Sequence, residues 1–189
     1  MNNEFVSGAI KQFEYYKLLG EKSFAQVNDD ALFWQFNENS NSIATIVKHL
    51  RGNMMSRWTD FLNSDGEKEW RNRDAEFEND ITTRAEMMEK WNEGWQCLFN
   101  ALKPLSIKDL EKIIYIRNTG QTVTDAICRQ IAHYSYHVGQ IVYIARMISE
   151  SWNSLSIPKG ESGNYNKQKF SKEKSTEHFT DELMKNNSK

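Results

Sequence analysis

The chain has 189 residues and a formal net charge of −2 from 24 basic and 26 acidic side chains, with 4 histidines, 2 cysteines and 2 prolines. A chain near this length buries about 70% of its unfolded surface in one core, so a single domain suffices. The balanced, dispersed charge leaves no footprint for nucleic acid, and two cysteines cannot build a disulfide framework.

The N-terminus Met1-Asn-Asn-Glu-Phe-Val-Ser-Gly8 carries no basic stretch followed by an apolar one, and no run approaches about 18 apolar residues. A cytoplasmic protein with no membrane partner is expected. With only Pro104 and Pro158 to interrupt it, and with apolar residues recurring at three and four, the chain reads as all-α. Phe5, Ile10, Phe13, Tyr16, Leu18 and Leu19 form the stripe of a first long helix over about residues 3 to 26, which the turn residues Asn28-Asp29-Asp30 end. A connector with Phe33, Trp34 and Phe36 follows.

Asn39-Ser40-Asn41-Ser42 then supplies N-caps for a second long helix, whose pattern Ile46, Val47, Leu50, Met54, Trp58, Phe61 continues to Asp65-Gly66. Glu67 to Asp80 is dense in charge, with Trp70 and Phe77 isolated, and reads as a long loop laid over the surface. Thr83 and Glu86 have capping-box spacing ahead of a third helix with Met87, Met88, Trp91, Trp95, Leu98 and Leu102, ended by Pro104. Ser106 to Asp109 can cap a brief helix, Ile113 to Ile116 can be extended, and Asn118-Thr-Gly120 turns the chain. Thr122 and Asp125 cap a fourth helix that runs to about Ser149, roughly 40 Å long. Cys97 and Cys128 fall inside apolar helical patterns and are expected as small core residues, and Met54-Met55 and Met87-Met88 as core filler. The expected organisation is a four-helix bundle over residues 1–160 with a long crossover loop, followed by a polar, flexible tail over 161–189.

Chemistry concentrates on the fourth helix. His133 and His137 are four apart, which stacks both imidazoles on one face in a stripe shared with Gln130 and Gln140. His49 on the second helix can complete a three-histidine set, and three such ligands leave coordination positions open, as in catalytic metal sites. The competing reading makes each imidazole a core residue bonded to a carbonyl or to a tyrosine such as Tyr134 or Tyr136. Gly139, mid-helix, is expected to allow close approach of a neighbouring helix. The missing Glu of His-Glu-x-x-His excludes the helical metalloprotease signature.

The string His133-Tyr-Ser-Tyr-His137-Val-Gly139-Gln140-Ile141, with Ser42-Ile-Ala-Thr-Ile-Val-Lys-His49-Leu50 and Trp152-Asn-Ser-Leu-Ser-Ile-Pro158-Lys-Gly160, resembles the DinB/YfiT-like superfamily, in its uncharacterised branch near the bacillithiol S-transferases. The resemblance implies a four-helix bundle of that type, holding divalent zinc or nickel on His49, His133 and His137, and often a homodimer. Family members of known activity use low-molecular-weight thiols such as bacillithiol or mycothiol. The resemblance therefore implies a thiol S-transferase whose small-molecule partners are the thiol and an electrophile, the thiol becoming nucleophilic as a metal-coordinated thiolate.

Asn53, one turn beyond His49, together with Gln140 and Tyr136 beside His137, are candidate contacts to the ligands or the substrate; Asn53 and Gln140 are equally readable as polar residues at a helix edge. Two alternatives remain at this point. One is a metal-dependent hydrolase, which needs a general base although no Asp or Glu lies one turn from any of the three histidines. The other is a metal-binding or dimerisation protein without turnover.

Overall fold

The computed structural model describes residues 4–185 and is mostly helical, with 59% helix and 4% strand. Four long helices carry the core: α1 (Glu4–Phe24), α3 (Ile43–Trp58), α4 (Arg84–Leu102) and α5 (Val123–Ile148), with a short α2 (Asp29–Phe33) after α1. A hairpin of β1 (Ile113–Ile116) and β2 (Thr119–Thr122) precedes α5, and α6 (Ser162–Phe170) and α7 (Asp181–Lys185) follow it. α1 packs on α5 and α4, and α3 packs on α4 and α5, which closes the helices into a bundle. No helix among the described residues is long and apolar enough to cross a membrane.

The starts of three long helices are set by local chemistry. Ser42, Thr83 and Thr122 each turn a side-chain oxygen onto a backbone N–H three residues on, which satisfies a donor the first turn leaves open. Amphipathic stripes then bury Phe13, Phe24, Trp91, Trp95 and Tyr134, all at most 2% exposed, in one aromatic core. Trp95 contacts Tyr134 edge-on at 5.9 Å and stacks with Phe99 at the same centroid distance. Gly20 makes this packing possible, because a Cβ there would come within 2.6 Å of the Trp91 ring.

Several expectations are corrected. Asn28 does not simply end α1: its side chain accepts from Ala31 N at 2.9 Å and caps α2. α3 stops at Trp58 rather than reaching Gly66, because Asp60 sits at φ 46 and its carbonyl closes turns with Asn63 and Ser64, even though the apolar pattern continues to Phe61. The hairpin turns at Arg117 (φ 53) and Asn118 (φ 61), two consecutive left-handed residues as a tight hairpin requires, and not over 118–120. Asp65 holds that tip, accepting from Arg117 N at 2.8 Å and Asn118 N at 2.9 Å.

Gly139 faces open space: a Cβ added there would meet nothing within 4 Å, so no neighbouring helix among the described residues uses it. Cys128 is exposed, since the buried stripe of α5 runs through Ile127, Gln130, Tyr134, Val138 and Ile141. The segment 67–80 is not merely laid over the surface: a 3-10 turn at Asp74–Phe77 carries Glu76 into the protein. Beyond residue 160, Asp181 pairs with Lys11 at 2.7 Å and Phe179 meets Tyr15 edge-on.

Candidate metal centre

α3 presents His49, Asn53 and Arg57 at successive intervals of four, one line along its face. α5 presents His133 and His137 by the same geometry. Where the two helices pack, the three imidazoles meet: ring centroids are 4.8 Å apart for His49 and His137, 5.6 Å for His49 and His133, and 4.7 Å for His133 and His137. One nitrogen from each ring lies within 4.8 Å of the other two, a group that could hold a metal ion. His49 is buried and the other two are half-buried.

The outer nitrogen of each ring is already engaged. His49 Nδ1 lies 2.9 Å from Glu76 Oε2, His133 Nδ1 3.2 Å from Gln130 Oε1, and His137 Nδ1 2.8 Å from Gln140 Oε1. Each partner is an oxygen acceptor, so a ring that donates from Nδ1 and is otherwise neutral turns the lone pair of its Nε2 inward. The His133 and His137 Nε2 atoms stand 3.1 Å apart, and with both protons on Nδ1 their lone pairs face one another. Two ligands about 2.0–2.1 Å from a tetrahedral zinc ion are separated by about 3.3 Å, so the spacing fits a shared cation. Burial pushes His133 down to about 3, aided by the neighbouring His137 and His49, and pushes His137 down to about 4, which keeps both rings neutral at physiological pH.

Behind His49 stands a second layer of charge. Glu76 is 5% exposed and receives a forked pair from Arg71, Nε to Oε1 at 2.7 Å and Nη2 to Oε2 at 2.9 Å. Burial alone would raise this carboxyl, but the His49 N–H and the Arg71 guanidinium outweigh it and hold it below the ordinary carboxylate range. Gly52 makes room for the arrangement, since a Cβ there would overlap the Glu76 carboxylate. Phe77, from the same turn, stacks on the His49 ring at 5.0 Å.

Of the remaining residues singled out in the sequence, Gln140 bonds His137 and also donates to the Tyr136 hydroxyl at 3.1 Å. Asn53 lines the cavity, but its Oδ1 accepts from the buried Tyr134 hydroxyl at 3.0 Å, which in turn accepts from Trp58 Nε1 at 3.0 Å. Tyr134 therefore serves Asn53 and Trp58, not the imidazoles. Sequence reasoning missed Glu76 altogether. Gln130 shared the histidine stripe without being assigned a role.

The three histidines border a cavity of about 370 Å³ whose wall includes five arginines, Arg57, Arg71, Arg73, Arg117 and Arg129. Arg57 and Arg71 are tied to Glu67, at 2.9 Å and 3.3 Å, and Arg57 also donates to the Gly66 carbonyl. The arrangement can hold a divalent ion with open positions facing a basic, water-accessible chamber.

Residues 1–161 match the family described as protein of unknown function (DUF1572), and the chain belongs to that family, which lies in the DinB-like clan. The matched region contains all three histidines, Glu76 and the cavity wall. No curated protein matches the chain.

Proposed function

From that membership and the geometry of the site, we propose that the chain is a metal-dependent enzyme that transfers a low-molecular-weight thiol, of the bacillithiol type, to an electrophile, with His49, His133 and His137 holding zinc or nickel. The observation that carries the metal is the 3.1 Å approach of two Nε2 atoms whose Nδ1 partners are oxygen acceptors. A divalent ion bound there supplies Lewis acidity and lowers the pKa of a coordinated thiol or water.

The chain's own residues do the rest. Gln130 and Gln140 fix the tautomers and ring orientations on α5, and Glu76 does so on α3, the role such outer partners play in metalloproteins generally. Asn53 and Tyr136 stand on the cavity wall, where a substrate would meet them. Thiol transfer needs no protein base once the thiol is deprotonated. Hydrolysis does, and Glu76 is a poor candidate because both its oxygens are occupied by Arg71 and His49 on the far side of the imidazole. A cytoplasmic location and a homodimer complete the proposal; α5 offers the exposed Tyr143 and Met147 away from the cavity.

The test is elemental analysis of untagged protein beside His49→Ala and His137→Ala, followed by thiol-dependent consumption of monochlorobimane. About one zinc or nickel per chain, lost in both variants, is the expected result. Unchanged stoichiometry in His137→Ala would sink the three-histidine assignment; metal without thiol-dependent turnover would leave a binding protein. A monomeric mass in light scattering at micromolar concentration would refute the dimer.

A further inference from the structure

The protein is net negative, yet the chamber in front of the histidines is walled by five guanidiniums. Among the described residues, the carboxylates that pair with them are Glu67 and Glu76, and neither lines the chamber. Glu76 is consumed by Arg71 and His49. Glu67 is shared among Arg57, Arg71 and Arg117 at 2.9 Å, 3.3 Å and 3.3 Å. Arg73 and Arg129 form no ion pair among the described residues, and Arg73 lies with its guanidinium carbon 5.2 Å from the centre of the Phe77 ring, directly beside the ring that stacks on His49. Both are exposed and border the chamber from opposite sources, the 67–80 loop and the first turns of α5.

Unpaired cations gathered at the wall of a concave site focus a positive potential into it, because the low-dielectric walls confine the field. Arginine forks also match carboxylate and phosphoryl oxygens in geometry, which an ammonium does not. Partnered arginines such as Arg57 and Arg71 are explained by holding the loop in place. Arg73 packs on Phe77, but neither it nor Arg129 is held by a carboxylate among the described residues, and what they share is a border on the chamber.

We infer that the chamber binds an anionic substrate, one bearing a carboxylate or phosphoryl group that Arg73 and Arg129 receive while the rest of the molecule extends toward the three histidines. This deepens the proposed function and rests on it for the identity of the chamber as a substrate site. The proposed reaction thereby gains a requirement that its thiol or its electrophile carry a negatively charged group.

The test is titration calorimetry on the full chain, stripped of metal, with succinate, inorganic phosphate and the neutral succinamide as probes. Succinate or phosphate should bind, more weakly as salt is raised, and succinamide should not. In the Arg73→Gln/Arg129→Gln double variant, anion affinity should fall by about tenfold or more, the loss expected of charge-assisted hydrogen bonds, while Arg146→Gln, on α5 but off the chamber, leaves it unchanged. Tighter phosphate assigns the group as phosphoryl, and tighter succinate as carboxylate. Equal binding of succinamide, wild-type affinity in the double variant, or an equal loss in Arg146→Gln overturns the inference. Zinc stoichiometry measured on the same double variant should stay at the wild-type value, so a failure of the metal reading appears in the histidine variants and a failure of this one in the isotherms.

Discussion

Replacing Glu76 with glutamine isolates the charge behind the candidate metal centre, because the amide keeps the shape of the carboxylate. Two losses are expected. His49 Nδ1 would donate to an amide oxygen in place of a carboxylate, making the imidazole a weaker ligand; removal of such an outer partner costs about 10- to 100-fold in metal affinity. Arg71, whose side chain is 3% exposed, would lose its forked partner and keep only the 3.3 Å contact to Glu67. Breaking a buried pair on one side costs about 3–5 kcal/mol when nothing remains, so with Glu67 retained about 2–3 kcal/mol is expected. For a chain of this length that corresponds to a drop in Tm of about 4–12 °C. Differential scanning calorimetry of the metal-free protein reads the second loss, and zinc competition with a chromophoric chelator reads the first. An E76Q protein that melts with wild type and competes for zinc equally well would refute the reasoning about this layer.

Other perturbations follow from the same structure. His133 and His137 are depressed to about 3 and about 4 against an unfolded value near 6.5, so between those limits the unfolded chain binds more protons and the folded one loses stability as pH falls. The denaturation midpoint of metal-free protein should therefore decline from pH 7 to pH 4.5, less steeply in His133→Gln/His137→Gln, and a midpoint that rises on acidification contradicts the assignment. Tyr134→Phe strands Trp58 Nε1 and Asn53 Oδ1 in the core and should cost about 1–3 kcal/mol in urea unfolding with little change in the slope. Gly139→Ala adds a methyl in open space on a helix and should stabilise by about 0.5–1 kcal/mol; destabilisation would mean that this face is covered.

What could be read in the sequence was what local interactions determine. The caps Ser42, Thr83 and Thr122 act over three residues, and the stripes of α1, α3, α4 and α5 repeat within a helix, so both are visible without knowing the fold. The His133–His137 pair is local for the same reason. Glu76 was illegible because its partners are 27 residues back on α3 and 5 residues back at Arg71, and a charged loop has the same composition whether it is solvated or buries one carboxylate. Gly139 misled in the opposite sense: mid-helix glycine suggests close packing, but the buried line of α5 passes through Val138 and Ile141 and leaves 139 outside. The arginine wall draws on four separate segments, a juxtaposition no single window contains.

The three histidines all stand on long helices locked by the aromatic core, whereas Arg73 and Arg117 stand on the 67–80 loop and at the hairpin tip pinned by Asp65. In the proposed reading, coordination and admission fall to parts of the chain that change at different rates, since loops accept insertions and exchanges that a packed helix does not. On that reading a relative with the same triad would change its clientele by rewriting two short stretches, and a chimaera exchanging only 67–80 and 117–118 should carry its preference with the loops and its metal with the helices.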